Sequence, residues 1–354
     1  MLAWTPVTDA GAAHLAACDR LEAVDLSGTP SGDGAIHALA GKRVRDFRSG
    51  NAVTDAGLRL LHQLPVFTHW QGGDAAMALL RPDARPNFLM LRGPFTDAGM
   101  AQLVGLDGLF AVNLDSDQLA VTGAGLAPLV TLPHLSWLAF DAKDDSMPYI
   151  AALPHLRFLM CQDTTAGDEG FLDLSRSSSI EHIWGRRSYN LQRRGFMALA
   201  EMPALRHLSV SCKNVDDVGV SVLPRFPALR ELMPLDIPDE GYRHIGRCEK
   251  LESLVLMYCR ETTDAATEHI GGLPALKKYF ASYNRITDRT PEILSDMPSL
   301  EDVEFASCAG LTDAGIAMLA RLPRLRDLRV GGMPKVTRDV AAAFAAHVRV
   351  TCEC

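Results

Sequence analysis

Membrane-length apolar runs, paired metal ligands and catalytic signatures are all missing from this chain, and each absence excludes something. No apolar stretch approaches the ~20 residues that a bilayer-spanning helix needs, so no membrane partner is expected. Acidic residues outnumber basic ones, and the resulting net charge of −8 argues against a nucleic-acid backbone as main partner. There is no H-E-x-x-H pair and no G-x-S-x-G elbow. With no nucleophile, base and oxyanion donor brought together, the expectation is no catalytic residue and no enzyme. The most glycine-rich stretch, Gly28-Thr29-Pro30-Ser31-Gly32-Asp33-Gly34, lacks the Lys-Ser/Thr of a phosphate-cradling loop and reads as a turn. Asp115 and Asp117 form a D-x-D, but no calcium-loop glycine or terminal Glu follows. The eight cysteines include no C-x-x-C pair, so neither a metal site nor a cofactor is expected. Cys352-Glu353-Cys354 is a C-x-C, where packing stands beside a metal or redox role. The other thiols are expected reduced and buried, as in a cytoplasmic protein.

What the chain has in plenty is one phrase. Thr-Asp-Ala-Gly stands at Thr8–Gly11, Thr54–Gly57, Thr96–Gly99 and Thr312–Gly315, with degenerate copies at Thr122, Gly167, Asp216, Pro238, Thr263 and Thr287. Weaker matches at Ser31, Gly73, Lys143, Gln192 and Thr337 complete a series whose mean step is about 23.5 residues, inside the range of stacked-repeat architectures. Units that pack only on their neighbours override the two or three domains that the length alone would suggest. No Gly/Ser-rich or charged run interrupts the period, so residues 1–354 are read as one repeat domain. The first copy begins at Thr8, and the residues before it lack a basic patch followed by an apolar run. No secretory signal is therefore expected, and the expected compartment is the cytoplasm.

The cleanest unit is 312–330. Ile316, Leu319 and Leu322 recur every three residues, as on one face of a short helix. Thr312 or Asp313 can cap that helix, and Pro323 stops it. Leu325, Leu328 and Val330 then follow L-x-x-L-x-L, the last two alternating with polar residues as in a strand buried on one face. Strand then helix, repeated, predicts an α/β solenoid with a parallel sheet and outer helices.

On these residues the chain resembles the leucine-rich-repeat family over about 5–352. Cys212-Lys213-Asn214-Val215-Asp216-Asp217, Cys259 to Asp264 and Cys308 to Asp313 are similar to the C-x-x-φ-T-D pattern of its cysteine-containing, ribonuclease-inhibitor-like subfamily, with Asn51 and Asn284 in the same slot. The resemblance implies a right-handed horseshoe of about 14 repeats plus caps, and a Cys or Asn side chain bonded to backbone inside the turn after each strand. Bacterial stand-alone members look most similar. Substrate adaptors of ubiquitin ligases carry such repeats too, but beside an F-box that this chain lacks.

In that frame the residues between the strand leucines face the concave side, at +15, +17 and +19 from each motif start. The ends of the series are polar, as at Asp25, Asp46, Asp302 and Asp327, and His69, Gln71 and Gly73 would form a third inner-face triplet. The middle gathers Phe88, Met90, Trp137, Phe158, Met160, His182, Trp184, Arg186, His207, Met233 and Phe280. Exposed Trp, Phe, Met and Arg are what binding hot spots use, so these residues are expected to contact a protein or peptide partner. The same rings could instead pack between adjacent strands and stiffen the array. Arg186, Arg187, Arg193 and Arg194 form a basic cluster, with Asp141, Asp144 and Asp145 opposite in sign nearby. Trp70, at +16, is expected in the core, and Trp4 over the open end. The main expectation is a non-enzymatic protein-binding scaffold. A self-associating structural array and an enzyme around His182, Arg186 and His207 are the other classes.

Overall fold

A computed structural model of the protein describes residues 2–70, 87–114 and 119–353. Every strand is short and every crossover carries a helical turn, as a 23-residue unit dictates. Contacts gather in two compact units, 1–184 and 185–354. The first contains strands β1 (Ala23–Asp25), β2 (Asp46–Arg48), β3 (Phe88–Met90), β4 (Ala111–Asn113), β5 (Trp137–Ala139), β6 (Phe158–Met160) and β7 (His182–Gly185, whose last residue opens the second). They pair parallel in chain order, from Ala23↔Asp46 through Asp46↔Phe88 and Trp137↔Phe158 to Phe158↔His182. The second unit holds β8 (His207–Ser211), β9 (Glu231–Leu235), β10 (Ser253–Met257), β11 (Lys278–Ser282), β12 (Asp302–Ala306), β13 (Asp327–Gly331) and β14 (Arg349–Glu353), again parallel and in chain order. Fourteen strands among the described residues, alternating with short helices, make an all-parallel sheet.

The +15/+17 frame survives intact in these registers, with one correction. β2 pairs directly with β3, so the expected strand at 69–73 is not inserted between them. Residues Pro65–Thr68 form a helical turn instead, while Gln71 and Gly73 lie outside the described residues. The leucine pattern is absent from 69–87, and hydrogen bonding passes straight to the next copy of the motif.

That hydrogen bonding explains why Thr-Asp-Ala-Gly recurs. The Asp of one unit reaches to the Thr of the next, accepting from its backbone N–H and its hydroxyl. Asp33 takes Thr54 at 2.8 and 2.6 Å, Asp55 takes Thr96 at 2.7 and 2.8 Å, and Asp97 takes Thr122 at 2.8 and 2.6 Å. In the second unit Asp239 holds Thr263, Asp264 holds Thr287, Asp288 holds Thr312 and Asp313 holds Thr337 in the same way. The Thr hydroxyl, thus occupied, also caps its own helix, accepting from Ala56, Ala98, Ala265 and Gly315 N–H. The glycine follows from the carboxylate: a Cβ at Gly57, Gly99, Gly125 or Gly315 would sit 2.0–2.4 Å from the preceding unit's Asp Oδ1. Within a single repeat the Asp is expected only to cap its own helix. Its reach into the following unit was not visible in one unit alone.

The glycine-rich segment 28–34 is the first rung of the same ladder. Its N–H groups at Gly32, Gly34 and Ala35 donate to Asp9 at 2.7, 3.1 and 3.1 Å, so an internal carboxylate occupies the cradle. A second ladder lies in the Cys/Asn slot. Asn284 donates to the Cys259 carbonyl at 2.7 Å, and the Cys259 and Cys308 thiols lie 3.5–3.6 Å from strand carbonyls. Burial raises these thiols' pKa, to about 11 for Cys259 and about 12 for Cys161 and Cys248. They pack as neutral groups. The expectation of buried, reduced thiols fails at Cys18, which is exposed outside the slot, while at the C-x-C Cys352 is disulfide-bonded.

Candidate functional site: the aromatic face of the first unit

Strand alternation decides which side chains can form a surface here. Leu89, Val112, Leu138, Leu159 and Ile183 point into the core, so the residues at either side of each point to the opposite face. In-register pairing then lines up Phe88, Ala111, Trp137, Phe158 and His182 in one row, and Met90, Asn113, Ala139, Met160 and Trp184 in the next. Small Ala111 beside Trp137 lets Phe88 reach across to the indole. The Phe88 and Trp137 rings meet edge-on at 5.9 Å, Trp137 stacks on Phe158 at 5.8 Å, and Phe158 stacks on His182 at 5.6 Å. Such contacts add about 0.5–1.5 kcal/mol each beyond area burial.

The rings do not share one depth. Trp137 is 1% exposed and Phe88 4%, sealed with Phe110, Ala111 and Ala139 into an apolar cluster. The expectation that these two offer their rings to a partner is corrected: packing between strands has already used their faces. Trp70, expected in the core, is half-buried and packs against that cluster, stacked on Phe110 at 6.0 Å and His134 at 4.6 Å. Burial, with His155 adding to it, lowers the His134 pKa and so favours a neutral ring. Beside the sealed cluster, in the same two rows, Met90, Phe158, Met160, His182 and Trp184 remain half-exposed. Trp184 is oriented by its indole N–H donating to Gln162 at 2.9 Å.

The remaining predicted residues belong to the second unit. Arg186 is half-buried with its guanidinium 6.0 Å from the Tyr258 ring centre. His207 pairs with Glu231 at 3.2 Å, and Phe280 is half-exposed in the row of Val255 and Glu304. Met233 is 4% exposed beneath the Ser209 hydroxyl, so it too is corrected from contact residue to packing. The basic cluster is drawn apart within this unit: Arg193 pairs with Asp216, which holds the Asp216 pKa below the usual carboxylate range, while Arg186 turns to Tyr258. Asp141 and Asp144 accept backbone N–H groups of Asp163 and of Gly167 and Gly170. Trp4 donates its N–H to Ser27 at 2.8 Å and lies against Gly28, but at 77% exposed its ring covers little.

Sequence reasoning missed one aromatic pair. Tyr258 and Tyr283 stack at 5.0 Å, each about half exposed, immediately after β10 and β11. They sit one position beyond the +15 to +19 frame. The signal was a Tyr just before the Cys259 and Asn284 slots.

Among the described residues no group of three or more His, Cys, Asp or Glu could hold a metal, and no helix is long and apolar enough to cross a membrane. The D-x-D at Asp115 and Asp117 lies outside the described residues. Parallel strands in register, helical crossovers, and Asp-Thr and Cys/Asn ladders define the leucine-rich-repeat fold. No family model matches the chain. Among solved structures, yeast Rad7, in a complex with Elc1, is similar with a TM-score of 0.53 and 14% identity, over 97% of this chain and 88% of that one. An internalin (inlF) from Listeria monocytogenes is similar with a TM-score of 0.46 and 16% identity, over 97% and 82%.

Proposed function

We propose that the protein is a non-enzymatic scaffold of the cysteine-containing leucine-rich-repeat kind that binds a protein or peptide partner. Its contact surface is the sheet face of the first unit, at Met90, Phe158, Met160, His182 and Trp184. Phe88 and Trp137 pack beside these residues and hold them in place; on the second unit, taken by itself, Arg186, His207 and Phe280 are the corresponding contacts. The observation that carries the reading is the grading of exposure along this face. A buried aromatic cluster at Phe88, Phe110 and Trp137 is flanked, in the same in-register rows, by half-exposed Phe, Met and Trp. Side chains held by stacking and by the Trp184–Gln162 bond lose little entropy on binding, so more of the apolar burial appears as affinity. Rad7 offers a solved case of a similar fold in a complex with another protein.

Two variants separate contact from packing. Phe158→Ala/Trp184→Ala removes rings that a partner would bury, each contributing about 1.5–3 kcal/mol. Capture of partners from the native proteome is expected to fall about tenfold or more in a variant that still folds cooperatively, with a smaller loss of melting temperature than Trp137→Ala causes. Recovery of the same partners in the same amounts by the folded double variant would remove this face as the binding site. Trp137→Ala is expected to act on stability instead, costing about 3–5 kcal/mol through the cavity it leaves.

A further inference from the structure

A different surface, the outer edge of β14, carries a second reading. In register with β13 (Asp327↔Arg349 to Gly331↔Glu353), β14 receives backbone bonds on one side: Arg349 N–H donates to Arg326 at 2.7 Å, and Glu353 accepts from Gly332 at 3.1 Å. Strand alternation therefore aims the backbone of residues 349, 351 and 353 at β13, and that of Val350 at the opposite edge. The sheet order ends there among the described residues. The side chains tell the same story. Leu328 and Val330 in β13 are buried, but their register mates Val350 and Cys352 are only half so. Phe344 and Val348 are half-exposed as well, and Ala341, Ala342 and Ala343 are exposed. Among the described residues nothing covers these apolar side chains, which alternate along β14 with exposed Arg349, Thr351 and Glu353.

The strand's own sequence says what covers it. Arg349-Val350-Thr351-Cys352-Glu353 is complementary to itself when reversed. We propose that two copies of this chain join through β14, antiparallel, about a twofold axis at Thr351. In that register Arg349, which also pairs with Asp327 of its own chain at 3.2 Å, faces Glu353 of the second copy, Thr351 faces Thr351, and Val350 faces Cys352. The charge-matched register is also the one that directs the Val350 N–H and carbonyl at the opposing backbone, since pairs flanking the axis are the hydrogen-bonded ones in an antiparallel ladder. An isologous contact of this kind closes at two copies.

Sedimentation velocity on the full chain, over a dilution series, tests the proposal. The expected result is a reversible shift from the 38.4 kDa monomer to twice that mass. Arg349→Glu and Glu353→Arg each place like charges opposite one another twice, and each is expected to weaken the dimer about tenfold. The exchange Arg349→Glu/Glu353→Arg restores both pairs across the axis while giving up the Arg349–Asp327 bridge, and is expected to assemble more tightly than either single variant. Val350→Pro deletes an N–H not used on β13, and is expected to abolish the dimer while the monomer stays folded by circular dichroism. A wild type that stays monomeric at every concentration overturns the proposal. So does growth beyond two copies, which means head-to-tail stacking, or a charge exchange that fails to rescue. Because β14 lies outside the aromatic face, failure here leaves the partner-binding reading standing, and the reverse also holds.

Discussion

Replacing Gly315 by alanine tests the ladder by its sign. A glycine inside a helix normally costs about 0.5–1 kcal/mol relative to alanine, so Gly315→Ala within Asp313–Met318 is stabilising on propensity alone. The structure reverses this. The added Cβ would lie 2.1 Å from Asp288 Oδ1 and 2.4 Å from its Cγ, so the carboxylate must leave its place. It would then give up bonds from Thr312 N–H at 2.8 Å and Thr312 hydroxyl at 2.6 Å. Bonds to a charged group contribute about 1.5–3 kcal/mol each, less where solvent can replace them, as at this half-buried rung. Against a gain near 1 kcal/mol, the expected balance is a loss of about 2–4 kcal/mol. Urea denaturation followed by circular dichroism measures it, with hydrogen exchange at the Thr312 amide as a local reading. Two controls isolate the cause. Gly272→Ala, where an added Cβ meets nothing within 4 Å, is expected to be near neutral. In an Asp288→Gly background the carboxylate and its Cβ, which would lie 2.8 Å from the added methyl, are both gone, so Gly315→Ala is expected to cost nothing. If Gly315→Ala stabilises the otherwise native protein, the carboxylate ladder is not what selects glycine in this motif.

Two further outcomes follow from the buried thiols. Their folded pKa values lie above the unfolded value of about 9, so the folded state favours the neutral form. The contribution is complete at neutral pH and is lost as pH rises past the unfolded pKa toward 11–12. Buried Tyr242 and Tyr279, whose pKa values burial also raises, act in the same direction. Denaturation near pH 10 is expected to show about 1–2 kcal/mol less stability per buried thiol than near pH 7, and a flat profile would contradict the burial argument. Thiol labelling of the native protein is expected to modify Cys18 rapidly. Cys161, Cys212, Cys248, Cys259 and Cys308 should react only on unfolding, and fast native labelling at any of them would refute their packing role.

Much of this was legible beforehand, for a reason each repeat shows. The L-x-x-L-x-L frame is local, and it placed Trp137 opposite Phe158 and Met160 opposite Trp184 before any strand was seen. Helix starts at Asp55, Asp97, Asp264 and Asp313 followed from the motif alone. Depth was not legible. That Trp137 is sealed while Trp184 stays half-exposed depends on Phe110, Ala111 and Trp70 meeting across several units. Nor could a period count show that β2 pairs directly with β3, because spacing along the chain does not say which strand a given strand lies beside.

The chain's own letters determined the repeat, its parallel strands, the face on which each residue would lie and the neutral, packing use of the slot cysteines. These follow from periodicity and residue type, which act within about twenty-four residues. Only the folded structure decided which Asp holds which Thr, why the glycine beside them carries no side chain, and which aromatic rings reach solvent. Those are properties of neighbouring units in contact, and contact between units is set by how side chains fill the space between strands.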